Sequence, residues 1–233
     1  MYQEVLGTWP THNRFILISC DDQYLNKYFP RFYKTFTRHW KLAMHVHVID
    51  PSDKSLSRLD KLDVSYTFCN TKNSLSPIPY VTYCQAQRFI LLGFKALEGQ
   101  SIIVADVDAY ALKTPSQSQI DLMCKDMAFT TYNSRLMATF CHFHSNNRKD
   151  ALEAAKKMIK MLKDTDNVGV DQKVIKEIFG RLPYTELTAG EWIRHQDVKT
   201  QQDIQQHQNC LVYHEKGTRG KDKGPQVKWT DIE

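Results

Sequence analysis

Apolar runs and polar breaks alternate along the first half of the chain in the order strand, helix, strand. Arg14-Phe-Ile-Leu-Ile-Ser-Cys20 is a short β-rich run ending at Asp21-Asp22, the pattern of a strand buried in a parallel sheet. Residues 22–40 carry helical spacing, and Pro30 is read as the start of a helix because proline's missing N–H is best tolerated there. Met44 to Asp50 predicts a second strand, stopped by Pro51, and Val64 to Cys69 a third. From Tyr80 to Leu97 the apolar positions Phe89, Ile90, Phe94 and Leu97 recur at helical spacing, with Gly99 as the stop. Ser101-Ile-Ile-Val-Ala105 is a fourth, very apolar strand that runs into Asp106-Val-Asp108.

The second half is less regular. Met127 to Tyr132 and Leu136 to His144 predict a strand hairpin, residues 148–163 an amphipathic helix, and Val168 to Phe179 a further helix closed by Gly180. Short β-like pieces and a basic, Gly-containing tail follow. The alternation predicts an α/β fold with a mostly parallel central sheet flanked by helices. In such sheets ligands bind beyond the carboxyl ends of the strands, where the acidic residues at 21–22, 50 and 106–108 all fall. No internal repeat or linker breaks the chain, so positions 1–233 are read as one domain.

Composition narrows this. With 42% hydrophobic and 11% aromatic residues in 233, the chain can bury a sizeable core and is not disordered. A formal charge of +5 is too mild for a dedicated nucleic-acid binder. The six cysteines show no C-x-x-C spacing and are read as reduced core thiols. With no signal-peptide pattern and no apolar run of membrane-spanning length, the expectation is a cytoplasmic protein without a membrane span.

Asp106-Val-Asp108 is the strongest chemical feature. Two carboxylates at the end of a buried strand are costly unless a cation neutralises them, and a divalent cation also suits phosphate oxygens. The competing reading is a turn with both side chains solvated. At the other end, Leu211-Val-Tyr-His214 opens into Glu-Lys-Gly217-Thr-Arg-Gly-Lys221. Glycines there admit phosphate to backbone N–H groups, cations supply charge, and His214 is a candidate third ligand that would favour Mn²⁺ over Mg²⁺. A solvated basic tail is the plain alternative. His45 with His47, and His142 with His144, share strand faces but lack a third ligand and are read as packing or surface histidines. Trp192 is read as core. Glu186, Glu191 and Asp197 are candidate bases for an inverting enzyme, and nothing selects among them.

An apolar strand ending in Asp-x-Asp after a helix resembles the nucleotide-sugar glycosyltransferases of the GT-A fold, a Rossmann-like architecture. Val-Asp171-Gln172 at a helix start looks like the Asp-Gln pair many of them carry. His214-x-x-Gly217-x-x-x-Lys221 is similar to the glycogenin and galactosyltransferase-like branch, family 8, although Gly220 is an extra residue and Trp229 comes later than the usual Pro-Trp. The resemblance spans roughly residues 14–221. It implies a nucleotide-binding half at about 14–110 and a donor-sugar and acceptor half at 111–233. It implies that Asp106 meets the ribose and the metal, that Asp108 and His214 ligate the metal, and that Gly217 and Lys221 face the diphosphate. Cys20, Asp22 and Tyr24 would hold the nucleoside, and Arg88 would neutralise an acidic group or the phosphates. Asp171 would bind sugar hydroxyls, with Gln172 near the reacting carbon. The activity implied is hexosyl transfer from a UDP-sugar such as UDP-glucose or UDP-galactose to an unknown acceptor, with Mn²⁺ (or Mg²⁺) at the site and retention of configuration.

Two other classes fit less well. A phosphatase with a D-x-D nucleophile places it after the first strand and follows it with Thr, where this chain has Tyr110; a nucleotidyltransferase of the pyrophosphorylase type needs a basic Gly-rich loop where Cys20-Asp-Asp-Gln-Tyr24 stands. A nucleic-acid-binding module would interleave aromatics with the cations of the tail, and residues 215–227 have none.

Overall fold

The computed structural model of the chain describes residues 4–71, 80–96, 98–132, 135–164, 169–188, 191–195, 210–214 and 227–233. Eight strands form one sheet: β1 (Leu6–Gly7), β2 (Arg14–Asp21), β3 (Ala43–Ile49), β4 (Ser65–Cys69), β5 (Ser101–Ala105), β7 (Ala128–Tyr132), β8 (Arg135–His144) and β9 (Thr185–Thr188). Their order is β1-β4-β3-β2-β5-β8-β7-β9. The central strands β4, β3, β2 and β5 run parallel, β8 is antiparallel to both β5 and β7, and β9 is parallel to β7. A smaller sheet pairs β6 (Ala109–Ala111) with β11 (Val212–His214), and β11 with β10 (Ile193–His195).

Alternation within each central strand divides the core. Ile16, Ile18, Val46, Val48 and Ile103 face α1 (Asp22–His39), which brings Leu25, Tyr28, Phe29, Phe32 and Phe36. Phe15, Leu17, Ile102 and Val104 face the other way, toward α3 (Tyr80–Lys95), α5 (Arg148–Asp164) and α6 (Val170–Ile178). Both faces are covered, so the strands read as continuous apolar runs.

Pro30 departs from expectation, since it lies inside α1 rather than at its start. The helix begins earlier, where the Asp21 carboxylate accepts the N–H of Tyr24 at 2.7 Å. A mid-helix proline costs about 3 kcal/mol. Each large apolar side chain buried on this face returns about 1.5–3 kcal/mol, so packing overrides the local preference. Two short helices, α2 (Asp53–Leu59) and α4 (Gln117–Cys124), lie where no apolar period announces them. Both start at serine caps, and α4 carries a full capping box between Ser116 and Gln119.

Candidate metal centre and active site

β5 delivers Asp106 to the carboxyl edge of the sheet, and the chain turns at once. The Ala109 N–H donates to the Asp106 carbonyl at 3.1 Å, closing the Asp-Val-Asp turn into β6. β6 pairs antiparallel with β11 in the register that sets His214 opposite Ala109. That register carries the imidazole to the acidic turn: His214 Nε2 lies 3.2 Å from Asp106 Oδ2 and 3.4 Å from Asp108 Oδ1.

One ligand atom from each of Asp106, Asp108 and His214 falls within 4.8 Å of the other two. Cis ligands of a six-coordinate ion with bonds of about 2.1 Å stand about 3 Å apart, so the measured separations suit a shared cation. Two carboxylate oxygens and one imidazole nitrogen form a donor set that suits a divalent cation.

Behind the triad sits a buried arginine. Arg88, on α3, donates to Asp106 and lies 3.4 Å from Asp171 at the start of α6; its other terminal nitrogen group also donates to the Ala138 carbonyl at 3.2 Å. Burial alone would lower the Arg88 pKa, but Asp106 and Asp171 hold its charge more firmly still. Burial would likewise raise Asp106, yet Arg88 and then His214 bring it below the usual carboxylate range. Asp171 goes the other way: burial pushes it up, and Arg88 only partly offsets this. For His214, burial opposes the charged form, but Asp108 and hydrogen bonds to both aspartates raise its pKa to about 10.

The local charge tally explains these directions. Asp106, Asp108 and Asp171 bring three negative charges when ionised, whereas Arg88 and a protonated His214 bring two positive ones. A divalent cation in place of the His214 proton would leave the cluster neutral, which is the state that burial favours.

The remaining candidate residues are distributed unevenly. Cys20, at the end of β2, is buried; burial first, and then the charges of Asp21 and others including Asp108, push its thiol pKa well up. Tyr24 is half-buried, tilted against Tyr28 at 5.1 Å. The Asp22 carboxylate turns toward α2, where it accepts the Ser52 N–H at 2.9 Å. The Gln172 carboxamide donates to the Leu136 carbonyl at 3.0 Å and accepts the Ala138 N–H at 2.7 Å. Gly217, Lys221 and Asp197 lie outside the described residues.

Other side chains settle as packing. His45 and His47 are fully buried and hydrogen-bonded to Ser65, Thr67 and Cys69, His142 bonds Ser101 and the Asp126 carbonyl, and His144 caps the turn after β8. Trp192 is 1% exposed, in the core. Glu186 accepts from Thr131, and Glu191 accepts from Thr188 at 3.3 Å. Glu186 sits beside Thr131 because β9 runs parallel to β7, a pairing that no local pattern announces.

No protein-family model and no curated protein sequence matches the chain. Its fold, however, is shared with solved glycosyltransferases. The galactosyltransferase LgtC, solved with donor and acceptor sugar analogs, superposes with a TM-score of 0.60 at 14% identity, covering 88% of this chain and 87% of that one. The fold is GT-A. The bifunctional glycosyltransferase WbbM, in its apo form, gives a TM-score of 0.61 at 12% identity. The match covers 95% of this chain but only 48% of WbbM, so the chain spans about half the length of that protein. Among the described residues no helix is long and apolar enough to cross a membrane.

Proposed function

We propose that the chain is a metal-dependent glycosyltransferase that moves a hexose from a UDP-sugar to an acceptor. The observation that carries this is the convergence of Asp106, Asp108 and His214 on one ligand-sized space at the carboxyl edge of a GT-A sheet. A divalent cation bound there, Mn²⁺ in our reading, offsets the charge that builds on the diphosphate as it leaves.

The chain's own residues divide the remaining work. Asp108 and His214 ligate the cation, and Asp106 shares it while reaching the ribose. Arg88 fixes the Asp106 carboxylate and keeps the acidic cluster from repelling the phosphates. Cys20 and Tyr24 line the nucleoside side in the nucleotide-binding half. Asp171, with its raised pKa, is suited to hydrogen-bond sugar hydroxyls from the donor half. Gly217 and Lys221 would meet the diphosphate. The family-8 likeness implies retention of configuration, and since no side chain among the described residues stands out as a covalent nucleophile, retention would come by attack from the leaving-group face.

Calorimetric titration of UDP with and without Mn²⁺ tests the reading. Affinity should depend on the metal, and Asp108→Ala should abolish that dependence. Screening UDP-hexoses for UDP release would then identify the donor. UDP binding that ignores Mn²⁺ and survives Asp108→Ala would overturn the proposal.

A further inference from the structure

β7 and β8 pair regularly only in part. Ala128 faces His142 and Phe129 faces Cys141, but Thr130 faces Met137 and Thr131 faces Leu136. Residues 138–140 of β8 therefore have no register partner on β7, from which the Thr130 hydroxyl alone reaches them, donating to the Phe140 carbonyl at 3.0 Å, and the backbone groups of Ala138 must be satisfied elsewhere. The replacements come from the candidate site: the Ala138 carbonyl accepts from Arg88 at 3.2 Å. On the opposite edge of the same segment the Thr139 carbonyl accepts the N–H of Asp106 at 3.0 Å, continuing the β5–β8 ladder past Ala105 and Phe140. The Ala138 N–H donates to Gln172 at 2.7 Å, and Gln172 donates to the Leu136 carbonyl at 3.0 Å.

We propose that Gln172 is a positioning residue, acting through the bulged segment of β8 on Arg88 and Asp106 rather than on the reacting carbon. A carboxamide suits this task. It offers one donor and one acceptor in a single plane, and the bulge presents one acceptor and one donor two residues apart. In this respect Gln172 imitates a neighbouring strand. Its preceding residue, Asp171, is the second partner of Arg88, so α6 grips the arginine twice, once directly and once through Ala138. If the brace is lost, the backbone that carries both the Arg88 and the Asp106 contacts is freed together.

The brace belongs to the unliganded chain, while its effect on nucleotide binding rests on the glycosyltransferase reading. The experiment keeps the two apart. Hydrogen exchange on the metal-free full chain would compare wild type with Gln172→Ala and with Gln172→Glu, which keeps the acceptor but loses the donor when ionised. The amides of Ala138 and Asp106 should exchange at least about tenfold faster in Gln172→Ala, while β2 and β3 keep their protection. Calorimetry with UDP and Mn²⁺ should show affinity weakened by about 10–100-fold, the usual loss when a metal ligand's supporting partner is removed. If Gln172→Ala does not fold, Gln172→Glu carries the same comparison with the volume preserved. Unchanged exchange at Ala138 and Asp106 overturns the proposal. So does unchanged UDP·Mn²⁺ affinity with turnover alone reduced, the signature of a group at the reacting carbon. If wild type itself ignores UDP and Mn²⁺, the functional reading falls and exchange alone decides the brace.

Discussion

His214 Nε2 lies 3.2 Å from Asp106 Oδ2, although one residue ends β11 and the other follows β5. The pairing of β11 with β6 enforces this approach and leaves the imidazole no other acidic cluster among the described residues. His214→Ala should therefore leave metal-free nucleotide binding alone and weaken Mn²⁺-dependent UDP binding by about 100-fold or more, since losing a ligand costs at least as much as losing its support. Calorimetry at fixed pH checks it; an unchanged Mn²⁺ dependence would remove His214 from the metal site.

Arg88 is the buried counter-charge of Asp106 and Asp171. Arg88→Met keeps much of the volume but strands two carboxylates, and breaking a buried pair in this way costs about 3–5 kcal/mol. The sign with pH follows. Without Arg88 both carboxyls lose the charge that holds their folded-state pKa values down, so the penalty is largest near neutral pH and shrinks as the pH falls and they protonate. Urea unfolding at pH 7 and pH 4.5 should show the variant recovering part of its deficit in acid. A deficit independent of pH would mean that lost packing, not charge, was responsible.

Of the four parallel strands, β2, β3 and β5 were legible as short runs buried on both faces and β4 as a β-rich run between turns, and Asp106 and Asp108 stood out as the charges at the end of the most apolar one. Less legible were β6 and β10, which are three residues each, and the partners of β11, which only tertiary register supplies. That register, not any local motif, brings His214 to Asp106. Pro30 misled because a local rule met an aromatic-rich helix face whose burial outweighs it. Gln172 shows a different limit: a bulge between β7 and β8 cannot be read from either strand, so the backbone groups it leaves for a side chain to satisfy were invisible.

Gly93 of α3 packs against α5 so closely that an added Cβ would stand 2.5 Å from the Ala151 carbonyl oxygen and 2.5 Å from the Ala155 Cβ. Helix propensity alone predicts that Gly93→Ala gains about 1 kcal/mol. The clash is with backbone and a short rigid side chain, and overpacking costs about 1–3 kcal/mol. The variant should be destabilised on balance, by up to about 2 kcal/mol, with its urea midpoint lowered. A raised midpoint would show that α5 shifts away at little cost.

The histidines of the sheet predict how the chain responds to acid. His45 and His47 are held neutral by burial, their pKa values lowered to about 3, and His142 is lowered to about 4 although its bond to the Asp126 carbonyl works against this. Thr67 Oγ1 stands 3.0 Å from His45 Nε2 and 2.9 Å from His47 Nδ1, so its one hydroxyl proton serves one ring while the other ring donates to it. An added proton would make both rings donors and break that chain. Since the folded-state values lie below the unfolded value near 6.5, the unfolded chain binds more protons as pH falls, and stability declines from about pH 6.5 downward. Each histidine contributes a slope of up to about 1.4 kcal/mol per pH unit. His214 is silent in this window, because below pH 6.5 both states hold its proton, and Asp171 opposes the trend as a single group. Urea unfolding between pH 6.5 and 4.5 should show the decline, and His45→Gln should flatten it by about one histidine's share. Stability that holds level over that range would contradict the neutral, buried state of these rings.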